Sequence, residues 1–354
     1  MPVHPALHTS ACELFGIEYP IVQTGMGWVS TAGLTAATSA AGGIGFLASA
    51  TLTFHELKAS VGEIKDATDK PFGVNVRTDV DDIEDRLDWL IAEGVPVVSF
   101  AQAPRPDMVA RLRDSGVVTI PTVGARRHAE KVAEWGVDAV IAQGREGGGH
   151  TGEVPTSVLV PQITAAVDVP VLAAGGITDG RGLVAALAWG AAGIAMGTRF
   201  LLSAESPVPV AIKQVYFDTA VTGTVRTTAI DGVPQRVIRS HMVEGLESAR
   251  LARFPRAAMN ALRFRSLTGT SWGALVKEGL AMKKAQNLTW AQLALAANAP
   301  MLTRATMVDG NQEVGIMPTG VGLGVIDSAP SVSEIIEAMV GEARDVLDGF
   351  QAST

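Results

Sequence analysis

Eight short apolar runs, separated by longer amphipathic stretches, set the strongest limit on how this chain can fold. They read YPIVQTGM (19–26), IGFLAS (44–49), FGVNV (72–76), VPVVSFAQ (95–102), VVTIPTV (117–123), DAVIAQG (138–144), PVLAAGG (170–176) and AAGIAMGT (191–198). β-Branched and apolar residues predominate in them, and glycine or proline marks most of the joins, as expected of strands. Between them TFHELKASVGEIKDATD, DIEDRLDWLIAEG, PDMVARLRDSG, ARRHAEKVAEWG and GRGLVAALAWG carry the helical segments, most of which end in glycine or another turn residue. Strands that are apolar along their whole length must be covered on both faces, which implies a parallel sheet wrapped in helices. Eight such units predict an α/β fold of the TIM (β/α)8 type rather than an open doubly wound sheet.

Two glycine-rich stretches, AGGIGF (41–46) and TGVGLGV (319–325), invite a dinucleotide-binding reading. The first precedes a strand and the second has no βαβ unit around it, so both read as tight turns. After residue 200 the alternation stops and PVPVAIKQVYFD, AAMNALRFRS, SWGALVKEGLAMKKAQN, TWAQLALAANAP and SVSEIIEAMVGEARDVLDGF read as helices. The expected organisation is a barrel over 13–215 with part of 310–330, a helical arginine-rich elaboration over 216–310, and a C-terminal helix over 331–354. Residues 226–265 hold eight arginines against three acids in a chain whose net charge is −8.

That acidic balance argues against nucleic-acid binding, which draws most of its affinity from basic faces. No apolar stretch is long enough to span a bilayer, the N-terminus lacks a signal-peptide profile, and a single cysteine, Cys12, suits a reducing compartment. The expectation is a cytoplasmic protein without membrane contact. Homo-oligomerisation is left open.

In a barrel the loops after the strands carry the chemistry, and phosphate is commonly held after strands seven and eight. Those loops are GGITDG (175–180) and MGTRF (196–200), where glycine backbone could approach phosphate and Thr198 could add a hydroxyl. GREGGGHTG (144–152) follows strand six. Its glycines could pass close to a flat ligand, and His150 either moves a proton or caps a loop; the residues alone leave both readings open. His4, His8, His55, His128 and His241 form no metal-ligand spacing, and neither a G-x-S-x-G elbow nor a P-loop is present.

Taken in order, PIVQTGM, AGGIG, FGVNV, IAQGREGGGHTG, PVLAAGGI and GIAMGTRF resemble the FMN-dependent nitronate monooxygenase family, formerly 2-nitropropane dioxygenases, which includes flavin-dependent enoyl-acyl-carrier-protein reductases. The resemblance covers most of residues 13–330. It implies FMN on the barrel's C-terminal face, with Gly25 and Met26 near the ring, Asn75 and Gln143 hydrogen-bonded to the cofactor, and Gly148 close to it. Gly175, Gly176, Met196, Gly197 and Thr198 would surround the phosphate, and His150 would be the catalytic acid or base.

Thr24-Gly25-Met26 stands where many nitronate-oxidising relatives have Ala-Pro-Met, and Gly320-Val321 where many have Gly-Gln. Both departures fall on the implied substrate side and point away from a direct assignment of nitronate oxidation. The wording QTGMGWVSTAGLTAATSAAGGIGFLAS and the arginine-rich part resemble an actinobacterial branch acting on CoA thioesters in steroid-ring degradation. Several arginines can engage the phosphates of CoA, with Arg239 and Arg253 as candidates, or else lie on solvated helix faces. The resulting expectation is an FMN-dependent oxidoreductase of acyl-CoA thioesters with NAD(P)H as electron partner. The alternatives are a nitronate monooxygenase using O2, or a non-flavin phosphate-binding barrel.

Overall fold

The structure, a computed structural model, describes residues 4–248, 301–313 and 315–352. Strands β1 (Ile21–Gln23), β2 (Ile44–Ala48), β3 (Gly73–Val76), β4 (Val97–Phe100), β5 (Val118–Val123), β6 (Val140–Gln143), β8 (Val171–Ala174) and β9 (Gly193–Met196) form a closed parallel barrel in that order. Each lies inside one of the eight apolar runs. Pairing of Ile21 with Ile194 and of Val22 with Ala195 closes the cylinder. The remaining short strand of this half, β7 (Gly149–His150), belongs to a separate sheet.

Alternate residues of the strands point inward, and Val22, Phe46, Val97, Ile120, Ile141, Leu172 and Ala195 meet in one buried cluster. Strands spaced around a cylinder can make such contacts only through its interior. β3 contributes space instead of bulk: a Cβ at Gly73 would lie 2.2 Å from Cε1 of Phe46. Removing the Phe46 ring should therefore cost about 3–5 kcal/mol, the usual range for emptying an aromatic core site. Helix α1 (Ser10–Phe15) adds Ala11, Cys12 and Phe15 to the same cluster and plugs the end of the barrel from which β1 sets out.

The outward residues meet the helices α2 (Ala32–Ala40), α3 (Phe54–Ala67), α4 (Ile83–Ala92), α5 (Pro106–Asp114), α6 (Arg126–Glu134), α7 (Thr156–Thr164) and α8 (Gly180–Ala188). α3 shows the local logic. Thr53 and Glu56 form a reciprocal capping box, and Leu57, Val61 and Ile64 recur at helical spacing to pack with Val74 and Val76. After the short α9 (Thr198–Leu201) and then α10 (Val210–Phe217), the 310–330 stretch returns to the barrel, and the last helix of the chain docks on α8. There a Cβ at Gly180 would lie 2.3 Å from the Met339 carbonyl oxygen.

One expectation needs correction. The sequence predicts a helical region over 216–310, yet β10 (Thr224–Thr227) and β11 (Gln235–Ile238) form an antiparallel hairpin within it, followed by α11 (His241–Ser248). TVRT and QRVI carry β-branched residues around an Asp-Gly turn, so local preference and the turn both favour strands. The helices read in AAMNALRFRS, SWGALVKEGLAMKKAQN and TWAQLALAANAP lie outside the described residues. The terminal helix, α12 (Val332–Ala352), is the last element in the described part.

Candidate active site

The sequence-derived candidates converge on the loops at the C-terminal ends of the strands. After β1, Ser30 accepts from the Met26 N–H at 2.8 Å and donates to the Thr24 carbonyl at 2.9 Å, while the Gln23 amide donates to the Ser30 hydroxyl at 2.8 Å. This polar knot turns the chain immediately after Gln23. Gly25 is thereby pressed on Asn75 of β3, where an added Cβ would lie 2.3 Å from Asn75 Cβ. Asn75 donates through Nδ2 to Ser99 at 2.8 Å. A Cβ at Gly197 would lie 3.3 Å from the Met26 sulfur, and the Thr24 N–H donates to the Met196 carbonyl at 3.0 Å. Gly25, Met26, Asn75, Met196 and Gly197 thus form one neighbourhood.

The loop after β6 is tied from within. Gln143 donates through Nε2 to the carbonyls of Gly148 at 3.2 Å and His150 at 3.0 Å. Glu146 accepts from the backbone N–H and hydroxyl of Thr156, both at 2.8 Å, and so caps α7. A Cβ at Gly148 would lie 2.6 Å from the Thr319 carbonyl carbon, so the returning 319–320 backbone packs on that glycine. The Gly320 N–H donates to Thr198 at 2.9 Å and the Val321 N–H to the Glu146 carbonyl at 3.0 Å, linking the loops after β6 and β9. Gly175 and Gly176 have φ of +105° and +77°, a backbone that side chains resist. The Gly175 turn lies so close to the β6 loop that a Cβ there would be 2.8 Å from the Gly147 nitrogen.

His150 emerges from this loop on β7, which pairs antiparallel with β11, Gln235 opposite His150 and Arg236 opposite Gly149. Arg236 fastens the two together by donating to the Arg145 carbonyl at 3.0 and 3.2 Å and to Thr224 at 2.9 Å. The hairpin turn brings in a residue that no motif or spacing singles out: Asp231 Oδ2 lies 2.7 Å from Nε2 of His150. The imidazole is 60% exposed and the carboxylate 12%. Burial alone would raise the Asp231 carboxyl, but the hydrogen bond and charge of His150, the Val233 N–H and the Gln235 side chain outweigh it and leave it below its ordinary value. An exposed imidazole backed by a sheltered carboxylate can accept a proton and keep the resulting charge stabilised.

Of the arginine candidates, Arg239 is exposed at the end of β11, its N–H donating to the Gly223 carbonyl at 2.9 Å. Arg253 lies outside the described residues. No described helix is long and apolar enough to cross a membrane.

A glycine-lined barrel mouth carrying a carboxylate-backed histidine has the build of an α/β-barrel oxidoreductase, and the nitronate monooxygenase model matches residues 8–342: the chain belongs to that family. A Mycobacterium tuberculosis protein named (3aS,4S,5R,7aS)-5-hydroxy-7a-methyl-1-oxo-octahydro-1H-indene-4-carboxyl-CoA dehydrogenase is 52% identical, over 95% of this chain and 96% of its own. A Rhodococcus jostii protein of the same name is 50% identical over 98% of each. Among solved structures, FabK from Thermotoga maritima superposes with a TM-score of 0.82 at 33% identity, covering 98% of this chain and 99% of its own.

Proposed function

We propose that this protein is an FMN-dependent dehydrogenase that oxidises a ring hydroxyl on an acyl-CoA thioester and passes the electrons to NAD(P)+. The observation that carries the proposal is His150, held by Asp231 at the lip of the glycine-lined barrel mouth. The likeness to two relatives named as dehydrogenases of a hydroxy-indene carboxyl-CoA supports the substrate class.

The residues present fit FMN. Asn75 and Gln143 use their N–H donors within the protein, so the amide oxygens remain for a ring N–H. Gly175, Gly176, Met196, Gly197 and Thr198 bring main chain together at the ends of β8 and β9, where this fold commonly holds phosphate. When bound, FMN would supply the hydride acceptor.

The chain's part is proton transfer and orientation. Oxidation of a carbinol removes a hydride from carbon and a proton from oxygen. His150 takes the proton at Nδ1, the nitrogen that does not face Asp231. The knot of Gln23, Ser30 and Thr24 holds Gly25 and Met26 in place, and Gln143 holds the His150 backbone. Arg226 is paired with Glu153 at 2.8 Å, and Arg236 is engaged by the β6 loop. Arg239, exposed and without an ion pair among the described residues, is the described candidate to meet CoA phosphate. Arg253 is proposed for the same role from its position in the arginine-rich segment.

Anaerobic mixing of the FMN-loaded enzyme with a β-hydroxyacyl-CoA should bleach the flavin, and NAD(P)+ should restore its colour. No bleaching by any thioester, together with rapid O2 consumption on alkyl nitronates, would replace this reading with nitronate oxidation.

A further inference from the structure

We infer that Asp231 is a positioning residue for the proton transfer at His150, and that the β10–β11 hairpin exists at this site to deliver it. The inference rests on the proposed role of His150. An imidazole whose Nε2 lies 2.7 Å from a carboxylate oxygen is held with its hydrogen on that nitrogen, because a carboxylate only accepts. The lone pair is then on Nδ1, so the base is ready before substrate arrives. Once Nδ1 takes the proton, the carboxylate stabilises the positive ring.

The pairing is built rather than incidental. Asp231 is itself fixed, its Oδ1 accepting from the Val233 N–H at 3.0 Å, so the hairpin turn presents Oδ2 toward the histidine. The register of β7 with β11 sets the ring's height, and Arg236 anchors the two strands. The loop that carries His150 also holds Arg145 and Glu146, with Glu153 just beyond it, and the hairpin holds Arg226 and Arg236. Glu146 is engaged by Thr156 and Glu153 by Arg226, and among the described residues Asp231 is the carboxylate paired with the ring. Asp231 lies 81 residues from His150 in sequence, so nothing local couples them.

The test compares FMN-loaded wild type, Asp231→Asn, Asp231→Glu and His150→Ala. Asn keeps the shape but not the charge, and it can offer an N–H to the ring. We expect kcat for the thioester to fall by about 10²-fold or more in Asp231→Asn, with KM and FMN content near wild type, as for loss of a group that orients a catalytic imidazole. Asp231→Glu should recover part of the rate. Nitrogen NMR of labelled histidine should show the Nε2–H form in wild type and a mixture in Asp231→Asn, independent of turnover. Wild-type kcat and tautomer in Asp231→Asn overturn the inference. Full turnover in His150→Ala overturns the reading beneath it, while the NMR comparison still decides whether Asp231 sets the tautomer.

Discussion

Consider adding a single methyl group at Gly25. The new Cβ would lie 2.3 Å from Asn75 Cβ, 2.7 Å from Cγ and 3.0 Å from Oδ1. Carbon atoms in contact prefer about 3.5–4.0 Å, so one of the two loops must retreat by roughly 1 Å. Overpacking of that kind costs about 1–3 kcal/mol. Displacing Asn75 also breaks its 2.8 Å bond to Ser99, a further loss of about 0.5–1.5 kcal/mol. The total, roughly 2–4 kcal/mol, leaves a barrel of this size folded but moves an amide assigned to the flavin. Gly25→Ala should therefore show a lower urea midpoint and FMN binding weakened by about tenfold or more, the equivalent of one hydrogen bond. The assay is fluorescence titration of the apoprotein with FMN beside urea unfolding. Gly62→Ala serves as control, because its Cβ meets nothing within 4 Å in the middle of α3; it should be neutral or stabilising by about 0.5–1 kcal/mol. A Gly25→Ala protein with wild-type FMN affinity would refute the placement of Asn75 beside the cofactor.

Other substitutions test separate links. His150→Ala should keep FMN while turnover falls by roughly 10² to 10⁴, the usual contribution of a positioned acid or base, as read by steady-state kinetics on the thioester. Tyr216 is fully buried and donates its hydroxyl to the Pro318 carbonyl at 3.0 Å, so Tyr216→Phe should lose about 1 kcal/mol of stability by urea titration without altering the Michaelis constant. Asp231 has its carboxyl held below the ordinary 3.8, so its stabilisation is present above that pH and is lost as pH falls through the lower folded value. The stability gap between wild type and Asp231→Asn, measured by urea unfolding at pH 5, should accordingly close as the pH drops below about 3.8.

The barrel was legible because its signal is local and repeated. Each strand lies in a mainly apolar run, most of them marked by glycine or proline at the joins. The hairpin was less visible because its charges read as helix surface: Arg226 and Arg236 are half-buried or buried, yet on sequence they belong to an arginine-rich tract. The alternation in TVRT and QRVI around Asp-Gly was the available cue. Asp231 had no cue at all, since its relation to His150 is created by strand pairing across the fold. The glycines show a different limit. Gly148 needs a bare Cα because the 319–320 backbone lies on it, and composition does not distinguish a close approach by chain from one by ligand. The residues proposed for the phosphate were selected from fold position, and their proximity at the ends of β8 and β9 follows directly from the strand order.

The measurement that bears most directly on the account is a rapid-mixing flavin spectrum, taken without oxygen, of the FMN-loaded protein with a ring-hydroxylated acyl-CoA thioester. Fast, stoichiometric bleaching that slows by at least about a hundredfold in His150→Ala is the predicted result. A flavin that stays oxidised with every thioester yet is reduced at once by an alkyl nitronate would contradict it.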